Sequence, residues 1–326
     1  MKELLKKFRL KHLLFLLGVI ILIFFLKSLD LVAISKSLSS LTFSSVIIIL
    51  LLTILSISLR AYRWQFLTSK ASGENISFLF SFKSILGGVA AASLIPGRIE
   101  LSKPLLLKHD FDIPISKSFP LMLIERLFDL FSVLIFLVLG LFFVHLDGAT
   151  GQGQIRMLLV LLCLLIAGML LSPVSVLKML QKAAPRLPLP VSFRDKIALW
   201  CEQIISSFTA FNEKSFILVA AISVAAIILE IIRLWYILHF LTVSVPFMAV
   251  GFVLSSSVLI GVLSAIPGGI GVVEFSAANI LSSLTGAYPP VIKSAILIDR
   301  MVAYYLLVAV GSLLLIFWKK KKEIVS

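Results

Sequence analysis

The segment Ser84–Glu100, SILGGVAAASLIPGRIE, limits this chain to very few folds. A short apolar run of small residues stops at Pro96-Gly97, and Arg98 and Glu100 follow at once. A helix that crosses a bilayer needs about 20 residues, so this run reads as a segment that enters a membrane and turns back. Irregular backbone at membrane depth survives only where protein or a water-filled cavity covers it. Charges at such a break are costly and point to function before decoration.

A chain built around such a break has to be apolar elsewhere. Of 326 residues, 60% are hydrophobic and 14% charged, where a soluble domain carries about 25% charged residues. Mean hydropathy is +1.12. No stretch alternates like a barrel strand. The sequence therefore predicts an all-α, polytopic helical membrane protein with about six full spans plus two re-entrant hairpins, or eight spans. The net charge of +14 gathers at segment ends. That pattern sets orientation and contact with anionic lipid; nucleic acid is not an expected partner. Cys163 and Cys201 do not pair in any recognisable pattern, and His12, His109, His145 and His239 are scattered. No metal and no cofactor is expected.

Along the chain, Lys2, Lys6, Lys7, Arg9 and Lys11 precede Leu13–Leu26. With no small-residue cleavage site behind it, this is an uncleaved first span, drawn here into Leu29–Ile34, with its start in the cytoplasm. Val46–Trp64, Phe119–Val144, Met157–Leu171, Phe216–Phe240 and Pro290–Trp318 supply further spans. Phe247–Ile266 is long enough to cross, yet stops at Pro267-Gly268-Gly269; with Gly271–Leu284 it forms the second hairpin. The loop His145–Ile155 has no lysine or arginine and is placed outside. The basic stretch 178–214 is a cytoplasmic connection carrying an amphipathic helix from Ile197 to Phe211, and Lys319–Lys322 hold the C-terminus in the cytoplasm. The expected location is the cell membrane, with both termini cytoplasmic.

The two halves repeat in order. Arg63, Pro96-Gly97 and Glu125-Arg126 are matched by Arg233, Pro267-Gly268 and Asp299-Arg300. This divides a single membrane domain, 1–326, into repeat one at about 44–145 and repeat two at about 214–318. The basic flanks orient the two repeats oppositely, the plan of many secondary transporters.

Four motifs occur in order: Arg60-Ala-Tyr-Arg63-Trp64, Pro96-Gly97-Arg98-Ile99-Glu100, Glu125-Arg126-Leu127-Phe128-Asp129 and Pro267-Gly268-Gly269-Ile270-Gly271-Val272-Val273-Glu274. Together they resemble the lysylphosphatidylglycerol synthase transmembrane family, from Leu13 to Trp318. The resemblance implies a flippase-like protein that handles a phospholipid. The chain departs from the family pattern where Ile99 leads straight to Glu100 and where Val273 precedes Glu274. The soluble synthase half that some members carry is absent from this sequence, so no aminoacyl transfer is expected.

The charged residues have two readings. Arg98, Arg126 and Arg300 suit the oxygens of a lipid phosphate, since a guanidinium offers a planar fork. Glu100, Glu125, Asp129, Glu274 and Asp299 could then hold a cationic headgroup or carry a proton. Alternatively, Arg126 with Glu125 and Asp129 forms a structural ion-pair network. Arg60 and Arg63 lie near a helix end, where long side chains snorkel to the interface. Glu230 and Arg233, three apart on one helix, are expected to neutralise each other. The expected function is movement of a phosphorylated or aminoacylated lipid between leaflets. The ligand would be a membrane phospholipid or polyprenyl phosphate, with protons as a candidate coupling ion. A lipid-modifying transferase using Glu125 or Asp129 as base is the first alternative. An accessory subunit of a cell-envelope enzyme is the second; a homo-oligomer or an envelope-enzyme partner stays open.

Overall fold

Apolar runs flanked by small polar residues and interrupted by Pro-Gly turns fold here as helices of two lengths. The computed structural model describes residues 16–94, 100–143 and 211–318, with scattered positions between 153 and 206. Among these residues all regular structure is helical.

The chain begins with α1 (Leu16–Lys27) and α2 (Leu31–Ser40). The first span does not continue into Leu29–Ile34, because α1 stops and Asp30 opens a new helix. Its Oδ1 accepts from the Val32 N–H at 2.9 Å. Among the described residues, four helices exceed the roughly 20 residues a crossing needs: α3 (Phe43–Ser72), α6 (Ile115–Phe143), α7 (Glu213–Phe240) and α10 (Pro289–Ile316). Capping fixes several starts. The side chains of Thr42, Ser77 and Asn212 accept from the backbone N–H groups of Ser45, Phe80 and Ser215, each worth about 1 kcal/mol.

Shorter helices lie between the long ones. After α3 come α4 (Phe78–Ala92) and α5 (Ser102–Phe111), and after α7 come α8 (Phe247–Leu263) and α9 (Val272–Thr285). Although Phe247–Ile266 is long enough in sequence to cross, α8 ends at Leu263. Ala265 and Gly268, with φ of 53° and 65°, turn the chain there. A side chain at Gly268 would run into the Tyr304 ring, so glycine is required on steric as well as conformational grounds. Each half thus reads long helix, short helix, break, short helix, long helix.

The central contact is α3 against α7. Thr53 meets Arg233, Ser56 meets Glu230, Arg63 meets Ser223, and Lys70 meets Ser215. Numbers rise along α3 while they fall along α7, so the two helices run antiparallel. On either side, α6 packs on α8, and the C-terminal part of α10 packs on α4. Both crossings are close because a glycine faces backbone. A Cβ at Gly140 would strike Phe252 and the Met248 carbonyl, and one at Gly311 would strike the Leu86 carbonyl. Small residues at crossings are how helices approach in lipid, where no hydrophobic force drives them together.

Two apolar clusters flank this centre. One gathers Ile231, Val250, Leu281 and Ala295; the other gathers Ala61, Trp64, Leu107 and Phe128. The polar residues discussed next lie between them. The loop His145–Ile155, the span Met157–Leu171 and the amphipathic stretch Ile197–Phe211 fall largely outside the described residues.

Candidate functional site

Helical spacing builds the first charged cluster. Arg60 and Arg63 are neighbours on one face of α3, and Glu125 and Asp129 are neighbours at i,i+4 on α6. The Arg63 guanidinium, 2% exposed, donates from Nε to Glu125 at 3.1 Å and from Nη1 to Asp129 at 2.6 Å. The α4–α5 turn then brings in Glu100 and Lys103. Lys103 is 1% exposed and bonds both Glu125 and Glu100, the latter at 3.1 Å. Its Nζ also sits 4.3 Å from the centroid of the buried Trp64 ring, a cation–π contact. Arg126 closes the circuit by bonding Glu100 and lying 3.5 Å from Asp129.

The result is a closed ring of alternating charge: Asp129, Arg63, Glu125, Lys103, Glu100, Arg126 and back to Asp129. Arg60 extends it, 3.6 Å from Asp129 and 2.7 Å from Glu230 on α7.

The second half repeats part of this plan. Arg233 donates from Nε to Asp299 at 2.8 Å, and Arg300 donates from Nε to Glu274 at 2.8 Å. Arg63–Glu125 corresponds to Arg233–Asp299, and Glu100–Arg126 to Glu274–Arg300. Even the small partners correspond, since Arg63 bonds Ser223 while Arg233 reaches Thr53 at 3.5 Å. Where the first half has Lys103 and Asp129, the equivalent positions are Ala277 and Ala303, so no ring forms. Instead, Tyr305 donates its hydroxyl to Glu274 at 2.9 Å, and the Arg300 guanidinium lies 4.3 Å from the Tyr304 ring centroid.

Both clusters face one cavity of about 240 Å³ between the halves. Its charged lining includes Arg60, Arg126 and Asp129 from the first half and Glu230, Arg233, Asp299 and Arg300 from the second; Val89, Leu254, Val258 and Leu307 add apolar wall. A ligand site of this size falls just below the roughly 300 Å³ at which drug-sized pockets begin.

Set against the sequence, Glu100, Arg126, Asp129, Asp299 and Arg300 line this cavity, while Glu125 and Glu274 stand behind it, paired with the lining residues Arg63, Lys103 and Arg300. Arg98 lies outside the described residues. Three expectations are corrected. Arg63 does not snorkel to an interface; it is buried with two carboxylates. Arg60 is likewise held, between Asp129 and Glu230. Glu230 and Arg233 do not neutralise each other, because Glu230 faces Arg60 and Arg233 faces Asp299. Lys103, Tyr304 and Tyr305 were not anticipated. Lys103 gave one available signal, lying three residues after Glu100, a spacing that makes an ion pair on a helical turn.

The chain is similar to known proteins along most of its length. A family described as "Lysylphosphatidylglycerol synthase TM region" matches residues 12–311. "UPF0104 membrane protein MJ1595" of Methanocaldococcus jannaschii is 27% identical over 298 residues, covering 85% of each chain. "UPF0104 membrane protein PH1989" of Pyrococcus horikoshii is 23% identical over 315 residues, covering 86% of this chain and 88% of its own.

Proposed function

From the premise that this chain belongs to the lysylphosphatidylglycerol synthase transmembrane-region family, we propose that it moves a phosphorylated or aminoacylated membrane lipid between leaflets. The observation that carries the reading is a charged cavity at the contact of two antiparallel, matching helices, α3 and α7. Two halves inverted about such a site can expose it in turn to each leaflet while acyl chains stay in lipid. A headgroup crossing bare hydrocarbon would meet a barrier that fixed charges lower.

In this reading the α4–α5 and α8–α9 breaks are re-entrant and open toward opposite sides of the cell membrane. The termini lie in the cytoplasm. Catalysis of a chemical step is not part of the proposal. A transferase would need a carboxylate free to take a proton, but Glu125 is held by Arg63 and Lys103, and Asp129 by Arg60, Arg63 and Arg126.

The test is reconstitution. Purified protein in sealed liposomes should speed the transfer of labelled phosphatidylglycerol, its lysyl ester, phosphatidylethanolamine or a polyprenyl phosphate between leaflets, with or without a proton gradient. Total lipid mass should stay constant. Vesicles holding verified folded protein that move none of these faster than empty vesicles would end the transport reading in favour of an accessory role.

A further inference from the structure

The ion pairs around the cavity match charge for charge among the described residues, and that match points to a ligand. Among the described residues, six cationic side chains take part in its ion pairs, and six carboxylates answer them. Arg98, two residues before Glu100, is the charged residue of the first break that stands outside this count. A ligand with net charge finds the described side chains already paired with one another, and burying uncompensated charge is costly. A ligand carrying one charge of each sign adds none.

The cavity also shows where the negative end of such a ligand belongs. The four arginines of the first cluster and of the α3–α7 contact each bond acidic or hydroxyl partners through a terminal nitrogen. Arg300 engages Glu274 through Nε alone, and its terminal Nη2 is buried with no hydrogen-bond partner. An idle buried N–H of a charged group is destabilising, and a phosphate oxygen would remove that cost by a charge-assisted bond.

We propose that the cavity takes a lipid headgroup of zero net charge, one phosphate and one ammonium, with the phosphate bonded to Nη2 of Arg300. This rests on the lipid-transport reading but is measured by binding, so each can fail without the other. Phosphatidylethanolamine, phosphatidylglycerol and lysylphosphatidylglycerol carry net charges of zero, minus one and plus one. Their retention on the detergent-solubilised protein would be compared by native mass spectrometry at equal lipid concentration.

The expected order has phosphatidylethanolamine held at least tenfold more tightly than either charged lipid. Arg300→Lys, which keeps the charge opposite Glu274 but loses the fork, should weaken phosphatidylethanolamine at least tenfold at an unchanged melting temperature. Equal or tighter retention of either charged lipid by the unmodified protein overturns the proposal. Retention of none of the three overturns it too. Arg300→Lys that folds and binds phosphatidylethanolamine normally overturns the placement of the phosphate. Glycerophosphoethanolamine, the same headgroup without chains, separates a lipid from a soluble ligand. If it displaces the lipid at equal concentration, the lipid source is refuted. A failure of leaflet transfer with the binding order intact would sink the transport reading alone.

Discussion

Lys103 holds two carboxylates at once and is 1% exposed. Changing it to methionine keeps length and removes the charge, leaving Glu100 and Glu125 each short of one partner. Breaking a buried pair from one side costs about 3–5 kcal/mol; because Arg63 and Arg126 remain, Lys103→Met should cost about 3 kcal/mol in a denaturation series in mild detergent. The Arg300–Glu274 pair permits a sharper comparison. Arg300→Gln alone strands a carboxylate that is 0% exposed, while the double variant Arg300→Gln with Glu274→Gln strands nothing. The double variant should therefore be more stable than Arg300→Gln by at least about 1 kcal/mol. A double variant as unstable as the two single losses combined would mean the pair does not act as a unit. These residues were legible to different degrees. Glu125, Arg126, Asp299 and Arg300 stand out because they interrupt apolar runs. Lys103 sits in a stretch that looks like a polar connection, and only the α4–α5 turn reveals that Glu100 and α6 enclose it. Glu230 and Arg233 misled because spacing on one helix says nothing about better partners on another.

At the scale of elements, the fold depends on two glycines whose importance the sequence hides. Gly140 lets α6 approach α8, and Gly311 lets α10 approach α4. Gly140→Leu and Gly311→Leu should each destabilise by about 2 kcal/mol or more, since overpacking a tight contact typically costs about 1–3 kcal/mol and here backbone must move. Gly73 is a contrast within the same chain. It caps α3 at φ 79° with nothing near where a Cβ would stand, so Gly73→Ala should cost only about 1 kcal/mol, from backbone strain alone. Melting temperatures of the three variants, measured side by side, check the ranking. An isolated glycine in an apolar run signals nothing about what faces it, so these crossings could not be read in advance. The α8–α9 break could, because Pro267-Gly268 leaves a helix few choices. The end of α1 and the stop of α8 at Leu263 lay between, as hydropathy alone runs on past both.

For the whole molecule, the antiparallel α3–α7 contact makes a direct prediction. Near its C-terminal end α3 meets the start of α7, where Lys70 Nζ donates to the Ser215 hydroxyl at 2.7 Å. On a background lacking Cys163 and Cys201, Lys70→Cys with Ser215→Cys should be bridged by a short bifunctional thiol reagent, and Lys70→Cys with Phe240→Cys should not. The reverse result would mean that the two helices run parallel and that the halves are not inverted. The general plan was legible here, because matched charges and matched breaks recur in order. What was hidden is that the two halves are unequally charged, which shows only once Lys103 and Asp129 are seen closing a circuit that Ala277 and Ala303 cannot. That inequality reaches beyond stability. A device made of two identical inverted units would have two conformations of the same energy, one the image of the other, and would occupy each half the time. Here one end is latched by a ring of six charges and the other by separate pairs. The degeneracy is lifted, and a difference of only about 1.4 kcal/mol between the latches gives a tenfold preference for one resting state.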